Sequence, residues 1–210
     1  FSFNQYVRDA DSALVSAGYD YIYKDSDGTD HYLKRSDDSD EWYDEDGIGL
    51  TLKVTDDNII IENGVTQTYE LPSDGGKLLS EKDEYNNTIT YAYTNGNITS
   101  ITDGAGRAFT FNYANNSNGE SRIRYIKLPN NKYISFYYTS NVKDKFNYIY
   151  FPGGKVSKFE YNNDDRLVSV QQADQTTTPH TNGLKTAFTY NSSGQVTNVT
   201  EYGSDNSVGE

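Results

Sequence analysis

Apolar and polar positions alternate in short runs along most of this chain. Ile89, Tyr91 and Tyr93 fall two apart, as do Phe109, Phe111 and Tyr113, with Thr88, Thr90 and Thr110 beside and between them. Period two places such residues on one face of a β-strand and the threonines on the other. The runs are bounded by Asn95-Gly96, Asp103-Gly104-Ala105-Gly106, Pro129-Asn130-Asn131, Pro152-Gly153-Gly154 and Ser193-Gly194. Each segment carries a residue tolerant of positive φ, which is hairpin and turn chemistry. The pattern predicts an all-β chain built from antiparallel hairpins.

The hairpins repeat. An aromatic pair two residues apart recurs as Tyr91/Tyr93, Phe111/Tyr113, Phe136/Tyr138, Phe159/Tyr161 and Phe188/Tyr190. An apolar pair three apart recurs as Ile98/Ile101, Ile123/Ile126, Phe146/Ile149, Leu167/Val170 and Val196/Val199. Successive aromatic pairs are 20, 25, 23 and 29 residues apart, so the unit is about twenty residues with variable loops. Spacing by three breaks strict alternation, and a β-bulge or local twist would bring both apolar residues to the core side. The first unit is imperfect: Leu78 is in frame, but Glu81 occupies the second apolar position. The expected organisation is an acidic N-terminal β region over 1–65 and hairpin repeats over 66–210. Some fifteen strands at ~4.8 Å would span roughly 70 Å. So many strands predict a strongly curved sheet, or two sheets meeting near residue 70.

Composition supports this picture. Leu, Ala and Met are scarce, while Tyr 20 and Phe 9 supply apolar area, with Tyr keeping a polar tip. Without Cys, a disulfide scaffold and a thiolate metal site are excluded. No apolar run approaches the ~18 residues of a membrane-spanning helix. The start at Phe1-Ser2-Phe3 without Met suggests a piece of a longer polypeptide. Residues 1–84 carry 7 basic and 21 acidic groups, a net of −14, and residues 85–210 carry 11 and 10, a net of +1. The acidic part repels phosphates and the rest forms no basic stripe, which argues against nucleic-acid and anionic-membrane partners.

The repeated residues resemble the Rhs/YD-repeat family. The resemblance is carried by G-x-Φ-x-x-Φ-x-D, then G-x-G-R, then F/Y-x-Y, over about residues 66–202, with Gly96–Tyr113 the nearest match. Phe3-Asn4-Gln5, Tyr21-x-Tyr23 and Asp27-Gly28-Thr29-x-His31-Tyr32 are similar to the region that precedes such repeats. The resemblance implies a long spiralling antiparallel sheet that encloses a shell around a C-terminal toxin or effector. It also implies bacterial export or attachment to the cell wall, although insecticidal toxin-complex subunits and animal teneurins belong to the same family. The family's self-cleaving aspartyl motif is absent, and Pro152-Gly153-Gly154 is a repeat turn with no catalytic role carried onto it.

Three candidate chemistries stand beside the structural reading. Tyr21, Tyr23, Trp42 and Tyr43 could stack a sugar ring, while the repeat aromatics read as core. The segment Asp25-Ser26-Asp27-Gly28-Thr29-Asp30 has the oxygen density of a calcium loop but lacks its twelve-residue pattern and terminal Glu. An Asp-Gly hairpin turn is the favoured reading there, and Asp44-Glu45-Asp46-Gly47 is similar but shorter. His31 and His180 have no metal-ligand partner at useful spacing, and no H-E-x-x-H or G-x-S-x-G occurs. The residues therefore imply no catalytic site, cofactor or metal. The expected function is a non-catalytic structural segment of a large exported protein, partnered by the rest of that polypeptide. The rival is a carbohydrate-binding or adhesion module that recognises wall or host glycans through exposed Tyr and Trp.

Overall fold

The structure is a computed structural model that describes residues 5–45, 47–139, 145–174 and 183–204. Phe1-Ser2-Phe3-Asn4, Asp46 and the stretch 175–182 with His180 lie outside the described residues. The chain is nearly all β, with 18 strands, a five-residue helix and one 3-10 turn among the described residues. Its hairpins run as an antiparallel meander. Two compact units form, Phe1–Ala108 and Phe109–Glu210. The first unit holds both the acidic region and the earliest repeat-type strands.

The first unit opens with β1 (Tyr6–Asp9) and α1 (Ser12–Ser16). It continues through β2 (Tyr19–Lys24), β3 (Asp30–Arg35), β4 (Glu41–Asp44), β5 (Thr51–Val54) and β6 (Asn58–Glu62). It ends with β7 (Thr66–Glu70), β8 (Leu78–Lys82), β9 (Thr88–Thr94) and β10 (Asn97–Thr102). Each strand from β2 to β9 pairs antiparallel with the next. β1 pairs with β2 on one side. On its other side Tyr6 bridges Lys77, and the Val7 amide donates to the Gly76 carbonyl at 2.9 Å. The sheet therefore curls until β1 meets the start of β8. Curling lets one face fill itself: Val7, Tyr23, Leu33, Leu50, Leu52, Ile59, Ile61, Tyr69, Leu78 and Tyr91 form one buried cluster. The period-two alternation of β6 and β7 delivers Ile59, Ile61, Gln67 and Tyr69 to it, while their neighbours stay half-exposed.

The second unit contains β11 (Ala108–Asn115), β12 (Ser121–Lys127), β13 (Tyr133–Tyr138) and β14 (Phe146–Phe151). It ends with β15 (Lys155–Tyr161), β16 (Leu167–Asp174), β17 (Lys185–Tyr190) and β18 (Val196–Tyr202). Successive strands pair antiparallel. Burial is shallower here. Phe111, Val156 and Ala173 are buried, but Tyr113, Phe136, Tyr138, Phe159, Tyr161, Phe188 and Tyr190 are half-buried. In the first unit Tyr91 is buried and Tyr93, Ile98 and Ile101 are half-buried. Phe111→Ala is expected to cost about 3–5 kcal/mol in denaturant unfolding. Phe109→Ala, at a ring that is 43% exposed, should cost under about 1 kcal/mol.

The bulge suggested by the apolar spacing is present in every complete repeat, and its position explains the frame. Tyr93 opposes Ile98 and Tyr91 opposes Ile101, with the register slipping past Thr99. Tyr113 opposes Ile123 and Phe111 opposes Ile126, slipping past Arg124. The same holds for Tyr138/Phe146 with Phe136/Ile149, Tyr161/Leu167 with Phe159/Val170, and Tyr190/Val196 with Phe188/Val199. One extra residue converts a spacing of three into a match for a spacing of two, so both apolar residues meet both aromatic rings. The terminal Tyr of an aromatic pair also reaches the preceding strand. Tyr93 donates to the Leu78 carbonyl at 2.9 Å, Tyr138 to Ile123 at 2.7 Å and Tyr190 to Leu167 at 2.6 Å. A cation covers the same rings: Lys77 over Tyr93, Arg122 over Tyr138, Lys145 over Tyr161 and Arg166 over Tyr190.

A single turn design joins many of these strands. Asp25, Asp83, Asp103, Asn116 and Asn162 each accept, through one side-chain oxygen, the amides two and four residues later. The residue three later takes positive φ: Gly28, Asn86, Gly106, Gly119 and Asp165 respectively. The pattern Asp/Asn-x-x-Gly/Asn/Asp is thus a turn signature, in which the side chain mimics a backbone acceptor.

Candidate functional site

The most polar interior of the first unit lies where the repeat frame is imperfect. Gln67 stands at the first aromatic position of β7 and faces Glu81, at the second apolar position of β8. The two substitutions match each other, because the Gln67 amide donates to Glu81 Oε1 at 2.9 Å and to Gln5 Oε1 at 3.1 Å. The Tyr23 hydroxyl donates to Gln67 Oε1 at 3.0 Å. The Tyr69 hydroxyl lies 3.1 Å from both Gln5 Oε1 and Gln67 Oε1. The Tyr91 hydroxyl donates to the second Glu81 oxygen. Buried polar groups must be satisfied, and these six side chains satisfy one another. Burial pushes the Tyr69 and Tyr91 hydroxyls well above the ordinary tyrosine range, and that of Tyr93 up to about 12.

An open pocket of about 510 Å³ leads to this network, lined among others by Gln5, Tyr23, Asp25, Asn63, Gln67 and Glu81. Beside it His31, which is buried, lies between two carboxylates. Its Nε2 is 3.1 Å from Asp25 Oδ2, its Nδ1 is 3.4 Å from Asp44 Oδ2, and its ring stacks on Tyr23 at 5.7 Å. Asp25 is saturated, since its other oxygen holds the turn amides of Asp27 and Thr29. Burial raises its pKa, but the hydrogen bonds from His31 and those amides outweigh this and leave it lowered. The Asp25–Asp30 segment is therefore a hairpin turn whose leading carboxylate is spent on structure. No group of three or more His, Cys, Asp or Glu is arranged to hold a metal ion among the described residues. The partnership of His31 with Asp44 spans two strands and had no sequence signal.

The proposed stacking residues do not form one platform. Tyr23 belongs to the core at 4% exposure. Tyr21 and Trp42 meet edge to face at 5.2 Å and 81°. The Trp42 indole donates to Asp20 at 2.7 Å, and the Arg35 guanidinium sits 5.5 Å over its ring. Tyr43 is exposed, and as the next residue in β4 it points to the opposite face from Trp42.

The second unit carries an aromatic surface that the repeat frame does not mark. Tyr125 opposes Ser135, which opposes Tyr150, while Tyr137 opposes Tyr148. Tyr133 and Tyr137 flank Ser135 at period two, so these five tyrosines share the face opposite the repeat aromatics. They pack edge to face, Tyr125 with Tyr133 at 5.4 Å and Tyr137 with Tyr150 at 5.1 Å. The signal was available as Tyr133-x-x-x-Tyr137 and Tyr148-x-Tyr150, masked by the stronger repeat. No known family model matches this chain, and no curated protein matches it either.

Proposed function

We propose that this chain is a non-catalytic structural segment of a large exported protein of the Rhs/YD-repeat kind, forming part of a shell or surface scaffold. The observation that supports this reading is the repeated interlock itself. In each complete repeat an aromatic-x-Tyr strand opposes an apolar pair across a bulge, so every unit presents the same packing surfaces to the next. Such a unit adds strands without a new core design, which is what an extended wall requires. Much of the hydrogen-bonding capacity of the acidic interior is likewise consumed internally, by the Tyr–Gln–Glu contacts. The partners on this reading are the remainder of the polypeptide and a toxin or effector it carries, and the location is the medium or the cell wall. Protease treatment of intact cells that express the protein tests it. Release of peptides from residues 1–210 without lysis is the expected result, and recovery only from the cytosol would defeat the reading.

A further inference from the structure

The last strand of the second unit leaves an apolar pair exposed. β18 pairs with β17 through Phe188/Val199 and Tyr190/Val196, and among the described residues no strand pairs with its other edge. Val196 is 51% and Val199 54% exposed. The equivalent residues Ile123, Ile126, Phe146, Ile149, Leu167 and Val170 are all half-buried. Their strands differ from β18 in one respect. β12, β14 and β16 are each paired on the second edge by the aromatic strand of the next repeat, β13, β15 and β17. An edge strand that presents apolar residues is a template for another strand.

That second pairing keeps one register. The residue at the second apolar position opposes the residue two before the first aromatic of the incoming strand. Glu81 opposes Ile89, before Tyr91, and Ile126 opposes Ile134, before Phe136. Ile149 opposes Ser157, before Phe159, and Val170 opposes Thr186, before Phe188. The incoming terminal Tyr then reaches the carbonyl of the first apolar residue, as Tyr93 reaches Leu78, Tyr138 reaches Ile123 and Tyr190 reaches Leu167. Carried onto β18, this register sets Val199 opposite the residue two before an incoming aromatic, and the Val196 carbonyl as acceptor for an incoming Tyr. The sequence from Gly203 to Glu210 contains no aromatic residue, so the strand is not supplied by residues 203–210.

We propose that β18 is the docking edge for an aromatic-x-Tyr strand that lies beyond residue 210 of the same polypeptide. The pairing rests on the scaffold reading of the chain and names the residues through which the scaffold continues. Main-chain hydrogen bonds along the edge give the affinity, and the Val196/Val199 pair with the Val196 carbonyl gives the selectivity for aromatic-x-Tyr. A second copy of the chain fits less well, because its aromatic strands β9, β13, β15 and β17 are already paired on both edges.

The test compares the full chain with the full chain extended by Gly-Ser and a copy of residues 155–162. This extension places the copied Phe159 eighteen residues after Val199, which is the spacing from Val170 to Phe188. Amide hydrogen exchange of β18 is the readout. The extension should slow exchange across β18 at least about tenfold. Serine at both copied aromatic positions should abolish the gain. Val199→Lys should also abolish it, while leaving the melting temperature of the unextended chain unchanged, because Val199 is exposed there. Phe in place of the copied Tyr161 should lose about threefold of the protection, the scale of one neutral hydrogen bond. No added protection, or equal protection from the serine version, would overturn the assignment. So would exchange of β18 in the unextended chain as slow as that of β16, or protection that rises with the concentration of the unextended chain. None of these outcomes bears on where the protein resides, which protease treatment of intact cells decides.

Discussion

Gly76→Ala is expected to destabilise the first unit by about 3–5 kcal/mol, the sum of two independent costs. Gly76 has φ +63°, where an L-residue pays about 1–2 kcal/mol. A Cβ at this position would also lie 1.7 Å from the Val7 carbonyl oxygen, a backbone atom that cannot step aside without moving β1. Moving β1 loses the Val7 amide bond to Gly76 and exposes Val7, now 1% exposed, at about 1.5–3 kcal/mol for the side chain. Gly28→Ala is the control, because Gly28 has φ +87° but open space around it. It should cost only the backbone term, about 1–2 kcal/mol. Denaturant unfolding of both variants separates the effects. Equal losses would mean that β1 does not close the sheet through Gly76.

That closure was invisible in the sequence for a physical reason. Hairpins announce themselves locally, through alternation within ten residues and turn chemistry between runs. The all-β class, the repeat frame and the bulges were therefore legible, the bulges because Ile98/Ile101 against Tyr91/Tyr93 cannot match without an extra residue. The pairing of Tyr6 with Lys77 joins positions far apart in the chain, and neither residue carries a mark of the other. The extent of the first compact unit was hidden for a related reason. The acidic character ends well before the compact unit does, because charge follows the surface while the unit follows the packing of Tyr91 and its neighbours onto the core of β5 to β8.

Site chemistry was harder to read than the fold. Glu81 stood out as a break in the apolar frame, but its meaning required Gln67, its partner across β7 and β8. Two polar residues that each look like errors are a satisfied pair once the register is known. Trp42 and Tyr43 looked like one aromatic surface because they are adjacent in sequence, yet adjacency in a strand sends side chains to opposite faces. The converse holds for Tyr125, Tyr137 and Tyr150. They are separated in sequence but gathered by the register of three strands.

Alkaline pH should unfold the first unit steeply, beginning near pH 10. Tyr23, Tyr69, Tyr91 and Tyr93 all have pKa values raised by burial above the ordinary tyrosine value, that of Tyr93 to about 12. The folded chain thus keeps protons that the unfolded chain releases above pH 10. The unfolded state then binds fewer protons than the native one, and stability falls as pH rises. A fully sealed tyrosine would contribute about 1.4 kcal/mol per pH unit, so four set an upper bound of about 5.6 kcal/mol per unit. Partial solvent access at Tyr91 and Tyr93 screens their share and brings the expected slope to about 3 kcal/mol per unit. Ionised Tyr91 would also face Glu81, adding repulsion of the same sign. The measurement follows tyrosinate absorbance and β-sheet circular dichroism together from pH 9 upward. These tyrosines should ionise only as the sheet is lost. Tyr69→Phe sharpens the assignment. It leaves Gln5 and Gln67 short of one donor, which should cost about 1–3 kcal/mol at neutral pH. It also removes one sealed proton, which should make the alkaline slope shallower by up to about 1.4 kcal/mol per unit. A variant that loses neutral stability but keeps the full slope would place the titrating groups elsewhere in the sheet.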